Sequence, residues 1–134
     1  MIIPDLPVKE YNEHYKPIFE KYKLINVFLI TPQTSVSRIR FIDDISNGFI
    51  YMVSSASVTG SQSSFGNAQN EYFDRINSMN LTSPQIVGFG ISNAETFHQA
   101  TEHAKGAIIG SAFVTHLREN GTSYINKFVS TILD

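Results

Sequence analysis

The stretch Ile86-Val87-Gly88-Phe89-Gly90-Ile91-Ser92 joins a short apolar run to two glycines and a serine. Such a run without polar alternation predicts a strand that is buried on both faces, as in a parallel sheet. A second stretch, Gly106-Ala107-Ile108-Ile109-Gly110-Ser111, repeats the same order about 20 residues later. Together the two stretches predict consecutive strand–turn–helix units of a parallel α/β fold.

Three earlier apolar runs extend this pattern towards the amino terminus. They are Met1–Ile3, Ile25–Ile30 and Phe49–Val53, and stretches with helical spacing separate them. The pattern predicts about five parallel strands joined by right-handed crossovers in one domain, residues 1–134. A complete eight-stranded β/α barrel needs about 250 residues, so the prediction is a partial (β/α)8 TIM barrel.

Local signals predict where two of the helices begin. Ser92 and Glu95 have the spacing of a capping box ahead of the helix predicted after the apolar run Ile86–Phe89. Pro17 would interrupt a helix passing straight through it. We therefore expect a short turn near Val8–Tyr11 and a main helix from about Tyr15.

Composition excludes several classes of function. The 134 residues carry ten basic and twelve acidic side chains, a balance that gives no electrostatic footprint for nucleic acid or an anionic membrane. Without cysteine there can be no disulfide, thiolate metal site or cysteine nucleophile. No apolar run reaches the roughly 20 residues that span a bilayer, and the amino terminus lacks the features of a secretory signal. We therefore expect a cytoplasmic protein.

Ligands of parallel α/β folds bind at the carboxyl ends of the strands. Gly90 and Gly110 lie at two such ends, and each precedes a predicted helix whose first N–H groups and dipole favour an anion. Ser111 adds a hydroxyl group. The two turns predict a phosphate site, although the glycines are equally compatible with tight turns that bind nothing.

Other candidate residues are less specific. Tyr51 either points into a barrel interior or belongs to the core, and Phe89 either stacks on a flat ligand or packs. The polar stretch from Ser54 to about Asn67 is either a mobile lid or a surface loop. Asp5 either faces a ligand or stabilises a turn, Asp43-Asp44 fits a solvated helix face, and the four histidines do not predict a metal site.

Five motifs, in their order along the chain, resemble the α subunit family of tryptophan synthase. Ile2-Ile3-Pro4-Asp5-Leu6-Pro7 and Phe28-Leu29-Ile30-Thr31-Pro32 look like the ends of its fourth and fifth strands. Tyr51 with Ser57–Gly60, then Gly88–Ser92 and Gly110–Ala112, complete the resemblance. Indole-glycerol-phosphate synthase shares the phosphate turns but lacks the elements at Pro4–Pro7 and Val58–Gly60.

The resemblance implies the C-terminal half of the barrel, strands 4–8, of an enzyme that splits indole-3-glycerol phosphate into indole and glyceraldehyde 3-phosphate. It implies no cofactor and a β subunit that receives the indole. The implied phosphate-binding residues are Gly60, Gly90, Gly110 and Ser111. The implied pocket for the indole and glycerol consists of Ile2, Leu29, Tyr51, Thr59, Phe89 and Ile108.

Two departures from the family bear on activity. The family's catalytic carboxylates belong to the second strand, upstream of the segment that Met1 matches, so we expect this chain alone to be inactive. Ser57 stands where the family usually has glycine, and Ser55 where it often has arginine. The alternatives are a phosphate-binding half-barrel without catalysis, or a structural fragment that self-associates through exposed strand edges.

Overall fold

A computed structural model describes residues 1–54 and 66–134 of the chain. One parallel sheet runs through the described part, and its four strands lie side by side in sequence order. The strands are β1 (Phe28–Ile30), β2 (Ile50–Val53), β3 (Gln85–Gly88) and β4 (Gly106–Ile108). The helices are α1 (Val8–Glu10), α2 (Lys16–Lys21), α3 (Val36–Ile45), α4 (Asn67–Ser78), α5 (Ala94–His103), α6 (Ser111–Asn120) and α7 (Ile125–Leu133). These elements confirm the predicted partial β/α barrel.

One face of the sheet forms the core with the helices. Ile30, Met52 and Val87 are in register across β1, β2 and β3, and none of the three is exposed to solvent. Ile39 and Ile42 of α3 and Phe73 and Ile76 of α4 belong to the same buried cluster. Because successive side chains of a strand point to opposite faces, Leu29, Tyr51 and Ile86 lie on the other face, which would be the interior of a closed barrel.

The first apolar run forms less of a strand than its composition predicts. Ile2 makes a single parallel bridge to Val27, in which the Val27 N–H donates to the Met1 carbonyl over 2.7 Å. Pro4 has no N–H to continue a ladder, and the chain turns there. The sheet therefore has four strands and one edge bridge where about five strands are predicted.

The expected helix break before Tyr15 is wrong. The chain is helical from Val8 to Lys21, with a π-helical turn over Tyr11–Tyr15 between α1 and α2. The Lys16 N–H donates to the Tyr11 carbonyl five residues back, and Pro17 follows in the first turn of α2. The wider turn accommodates a proline that a regular α-helix would not.

The capping box of α5 lies one residue further along than Ser92 and Glu95 predict. The Thr96 N–H donates to the Asn93 side chain over 2.8 Å, and the Asn93 N–H is 3.3 Å from the Thr96 hydroxyl. Thr96 is completely buried, whereas Glu95 is exposed. Packing therefore favours the Asn93–Thr96 pair, which places the short Thr96 side chain against the core.

No helix in the described ranges is both long enough and apolar enough to cross a lipid bilayer.

Candidate functional site

Two glycine turns leave the sheet at the ends of neighbouring strands. Gly88, the last residue of β3, is in register with Ile108, the last residue of β4. Gly90 and Gly110 each follow two residues after this pair, so both turns leave the same edge of the sheet side by side. The two turns are adjacent, which a common anion site would require, and the binding of an anion there stays a prediction.

The helices that follow these turns begin differently. At α5, the side chains of Asn93 and Thr96 cap the first turn. At α6, Gly110 is the N-cap residue, the exposed Ser111 follows it, and no side chain accepts a hydrogen bond from the helix start. The first N–H groups of a helix have no partner within it. The start of α6 is therefore the end with backbone donors to offer an anion.

Tyr51 and Phe89 come together beside the first turn. Their ring centroids are 6.0 Å apart with an angle of 63° between the ring planes, an edge-to-face contact. Tyr51 is 9% exposed and Phe89 is 47% exposed. Burial raises the pKa of the Tyr51 hydroxyl, so this group stays protonated at neutral pH. The pair offers an aromatic edge with one hydroxyl donor.

The remaining aliphatic candidates lie along the same inner face. Leu29 is in register with Tyr51, and Ile108 with Gly88. Ile2 bridges to Val27, two residues before Leu29, and is 46% exposed. These residues supply apolar surface to the inner face, while their role towards a ligand stays a prediction.

Thr59 and Gly60, together with Ser57 and most of the proposed lid, lie outside the described residues.

Ser54 and Gly88 contact the candidate site residues, although the sequence analysis names Ser54 only as the start of the proposed lid and Gly88 only within a motif. A Cβ atom on Gly88 would overlap the Tyr51 hydroxyl and ring, so the glycine makes room for that side chain. Ser54 is completely buried, and its hydroxyl reaches the backbone carbonyls of Gly88 and Phe89. A polar residue directly after a buried strand was the available signal for Ser54.

The other titratable candidates lie away from these turns or have structural contacts. Asp5 is exposed, and His103 lies 3.3 Å from the Asp74 carboxylate near the opposite end of the helices. Within residues 1–54 and 66–134, no three acidic or histidine side chains cluster in a way that could hold a metal ion. The interpretation of Asp43 as a solvated residue is wrong, because its carboxylate accepts the N–H groups of Thr82 and Ser83.

Replacing Gly88 with alanine is expected to displace the Tyr51 ring and to lower the free energy of unfolding by about 1–3 kcal/mol, the usual cost of overpacking. Gly106→Ala is the matched control, since a Cβ there meets nothing within 4 Å. Urea unfolding and near-ultraviolet circular dichroism of the tyrosines measure both effects. Equal stabilities and unchanged spectra in the two variants would contradict the described contact.

The fold and this edge of the sheet define part of a β/α barrel that has a candidate anion site at its strand ends. Comparison with known protein families identifies the family. The sequence model of the family described as tryptophan synthase alpha chain matches residues 1–132. This chain belongs to that family.

Individual relatives agree with the family match. The tryptophan synthase alpha chain of Flavobacterium johnsoniae is 72% identical over 132 residues, which are 98% of this chain and 52% of that protein. The corresponding protein of Christiangramia forsetii is 64% identical over the same shares. This chain thus spans about half the length of the curated relatives it matches.

Solved structures share the fold over the same extent. The tryptophan synthase A-subunit from the hyperthermophile Pyrococcus furiosus superimposes with a TM-score of 0.80 at 30% identity, covering 98% of this chain and 54% of that one. A tryptophan synthase structure from M. tuberculosis gives a TM-score of 0.75 at 26% identity, covering 98% and 48%. Both agree with the assignment to half of a barrel.

Proposed function

We propose that this chain is the C-terminal half, strands 4–8, of an indole-3-glycerol phosphate lyase barrel and that it binds the phosphate and indole ends of that substrate. The observation that carries the proposal is the pair of adjacent turns at Gly90 and Gly110 beside the rings of Tyr51 and Phe89. Membership of the tryptophan synthase alpha chain family supports the substrate class. Backbone amides would hold the phosphate, and the rings would contact the indole.

We expect the 134-residue polypeptide to bind without cleaving. Cleavage requires a proton at C3 of the indole and removal of a proton from the side-chain hydroxyl, so it needs groups that donate and accept protons. Leu29, Ile86 and Ile108 on the inner face are aliphatic, and burial raises the pKa of the Tyr51 hydroxyl, so this group stays protonated and does not accept a proton at neutral pH. The carboxylates would come from the family's second strand.

The resemblance also supports a partner and a location. We propose that the complete enzyme delivers indole to a tryptophan synthase β subunit, uses no cofactor of its own in this half, and works in the cytoplasm. Gly60 and Thr59 are proposed to complete the phosphate site and the lid, alongside Gly90, Gly110 and Ser111.

Calorimetric titration of the purified chain with glycerol phosphate tests the binding proposal. We expect saturable heat in the millimolar range, and a marked loss of it in Ser111→Asp. An acidic residue in the first turn favours the helix through its dipole but repels an anion, so this loss would not come from unfolding. Ser37→Asp, in the first turn of α3, introduces the same charge away from the two turns. The absence of heat for the unsubstituted chain at millimolar ligand would contradict the proposal.

The same preparation serves to test for turnover of indole-3-glycerol phosphate. We expect none, because the proton-transfer groups of the reaction are missing from the described inner face. Appreciable turnover would overturn the expectation that this polypeptide is inactive alone.

A structural fragment that self-associates is the second candidate, and exposed apolar side chains on the last two helices favour it. Val114, Val129 and Leu133 are each between 45% and 56% exposed. Light scattering on the calorimetry sample distinguishes the candidates. A monodisperse monomer that binds glycerol phosphate would exclude self-association as the role, and an oligomer without binding would favour it.

A further inference from the structure

The backbone between β3 and α5 has an unusual conformation. Phe89 and Gly90 have φ angles of 65° and 78°, so two consecutive residues are in the left-handed region. Glycine adopts this region freely, whereas a bulky residue such as phenylalanine does so at a cost of roughly 1–3 kcal/mol. Surrounding contacts must therefore hold the Phe89 conformation.

Ser54, directly after β2, supplies these contacts. Its N–H donates to the Gly88 carbonyl over 3.1 Å, and its hydroxyl lies 3.0 Å from the same oxygen. The hydroxyl also donates to the Phe89 carbonyl. Ser54 is completely buried, so water cannot replace these bonds.

The bond to the Phe89 carbonyl also decides where the next N–H points. The Phe89–Gly90 peptide is planar and trans, so its carbonyl and its N–H point in opposite directions. With the carbonyl turned inwards to Ser54, the Gly90 N–H points away from it. Among the described residues, no acceptor bonds to this N–H. An anion beside the Gly110 turn would find this N–H without a partner among the described residues.

We propose that Ser54 is a positioning residue for the anion site, because it holds the peptide that presents the Gly90 N–H and the Phe89 ring. The proposal rests on the proposed function for its ligand, the phosphate end of a phosphorylated substrate that carries an aromatic ring. Ser54 itself does not contact the ligand. A purely structural serine would affect stability and leave the Gly90 amide of the folded protein unchanged.

Three variants of the full chain test this proposal. Ser54→Ala removes the hydroxyl, Ser54→Thr keeps it, and Ser83→Ala truncates another buried serine at a distance from the two turns. With inorganic phosphate as the probe, we expect Ser54→Ala to weaken binding about tenfold, the equivalent of one poorly aimed hydrogen bond to a charged ligand. Ser54→Thr is expected to restore most of the affinity, and Ser83→Ala to leave it unchanged.

A spectroscopic measurement tests the positioning role of Ser54 independently of phosphate binding, on which the proposed function depends. In glycine-labelled protein, the Gly90 amide resonance is expected to shift or broaden in Ser54→Ala and to return towards its original position in Ser54→Thr. If the unsubstituted chain binds no phosphate, the proposed function fails, yet this resonance still reports on Ser54. A Gly90 resonance unchanged in folded Ser54→Ala would overturn the positioning role. If Ser54→Ala does not fold, Ser54→Cys replaces it, because the thiol has a similar shape and is a weaker hydrogen-bond donor. Ser54→Cys and Ser54→Thr are then compared by phosphate binding and by the Gly90 resonance.

Discussion

Replacing Phe73 with alanine is expected to lower the free energy of unfolding by about 3–5 kcal/mol, the usual cost of deleting a buried aromatic side chain. Phe73 lies on α4, is not exposed at all, and belongs to the cluster that joins the helices to the sheet. Its ring lies 5.9 Å from that of His103 of α5, at an angle of 31°. A loss of this size is a large fraction of the roughly 5–15 kcal/mol that stabilises an ordinary domain.

Phe41→Ala is the matched control for this substitution. Phe41 lies on α3 and is 40% exposed, so the same deletion there leaves no enclosed cavity and is expected to cost about 1 kcal/mol. Urea unfolding followed by far-ultraviolet circular dichroism measures both variants. If Phe73→Ala does not fold, Phe73→Leu offers a smaller change in volume. Equal losses at the two positions would contradict the packing of α4 against the sheet.

Removing the Asp43 carboxylate is expected to cost about 2–3 kcal/mol, because hydrogen bonds to charged groups are stronger than neutral ones. Its two oxygens accept the N–H groups of Thr82 over 2.9 Å and of Ser83 over 2.8 Å. These bonds attach the end of α3 to the segment between α4 and β3. Ser83 is buried, so Asp43→Ala would leave its N–H without a partner.

The neighbouring Asp44 offers an internal control. It is exposed in the same last turn of α3, so Asp44→Ala removes the same charge near the same helix end. An acidic group near a helix carboxyl end is unfavourable, and we expect Asp44→Ala to be neutral or slightly stabilising. Asp43→Asn, which keeps one acceptor oxygen, should lose about half as much as Asp43→Ala. Similar stabilities for Asp43→Ala and Asp44→Ala in chemical denaturation would refute the role of Asp43.

Much of the candidate site follows from residue types at single positions. Glycine at positions 90 and 110, each after an apolar run, predicts turns at strand ends, and both turns lie there in the structure. The run Phe49–Val53 becomes β2 with a difference of one residue at its start. The meeting of Tyr51 with Phe89 could not be read from either residue, because it depends on the room that Gly88 leaves.

Local sequence signals gave wrong predictions where two similar arrangements were possible and tertiary packing favoured one of them. Ser92 with Glu95 and Asn93 with Thr96 lie one residue apart, and burial of Thr96 favours the second pair. Pro17 predicts a break that a π-helical turn removes, since the Lys16 N–H closes this turn and Pro17 follows in the first turn of α2. In both places the local preference is worth only about 1–3 kcal/mol, which tertiary contacts can outweigh.

By itself, the order of residues determined that this chain folds as a parallel α/β unit with glycine turns at neighbouring strand ends. Exclusion of apolar runs from water and the backbone freedom of glycine act locally and need no knowledge of the final contacts. Only the tertiary structure decided that Ser54 holds carbonyls 34 and 35 residues away and that Asp43 binds an N–H 40 residues away. Hydrogen bonds across such separations depend on strand register and helix placement, which the packing of the whole core sets.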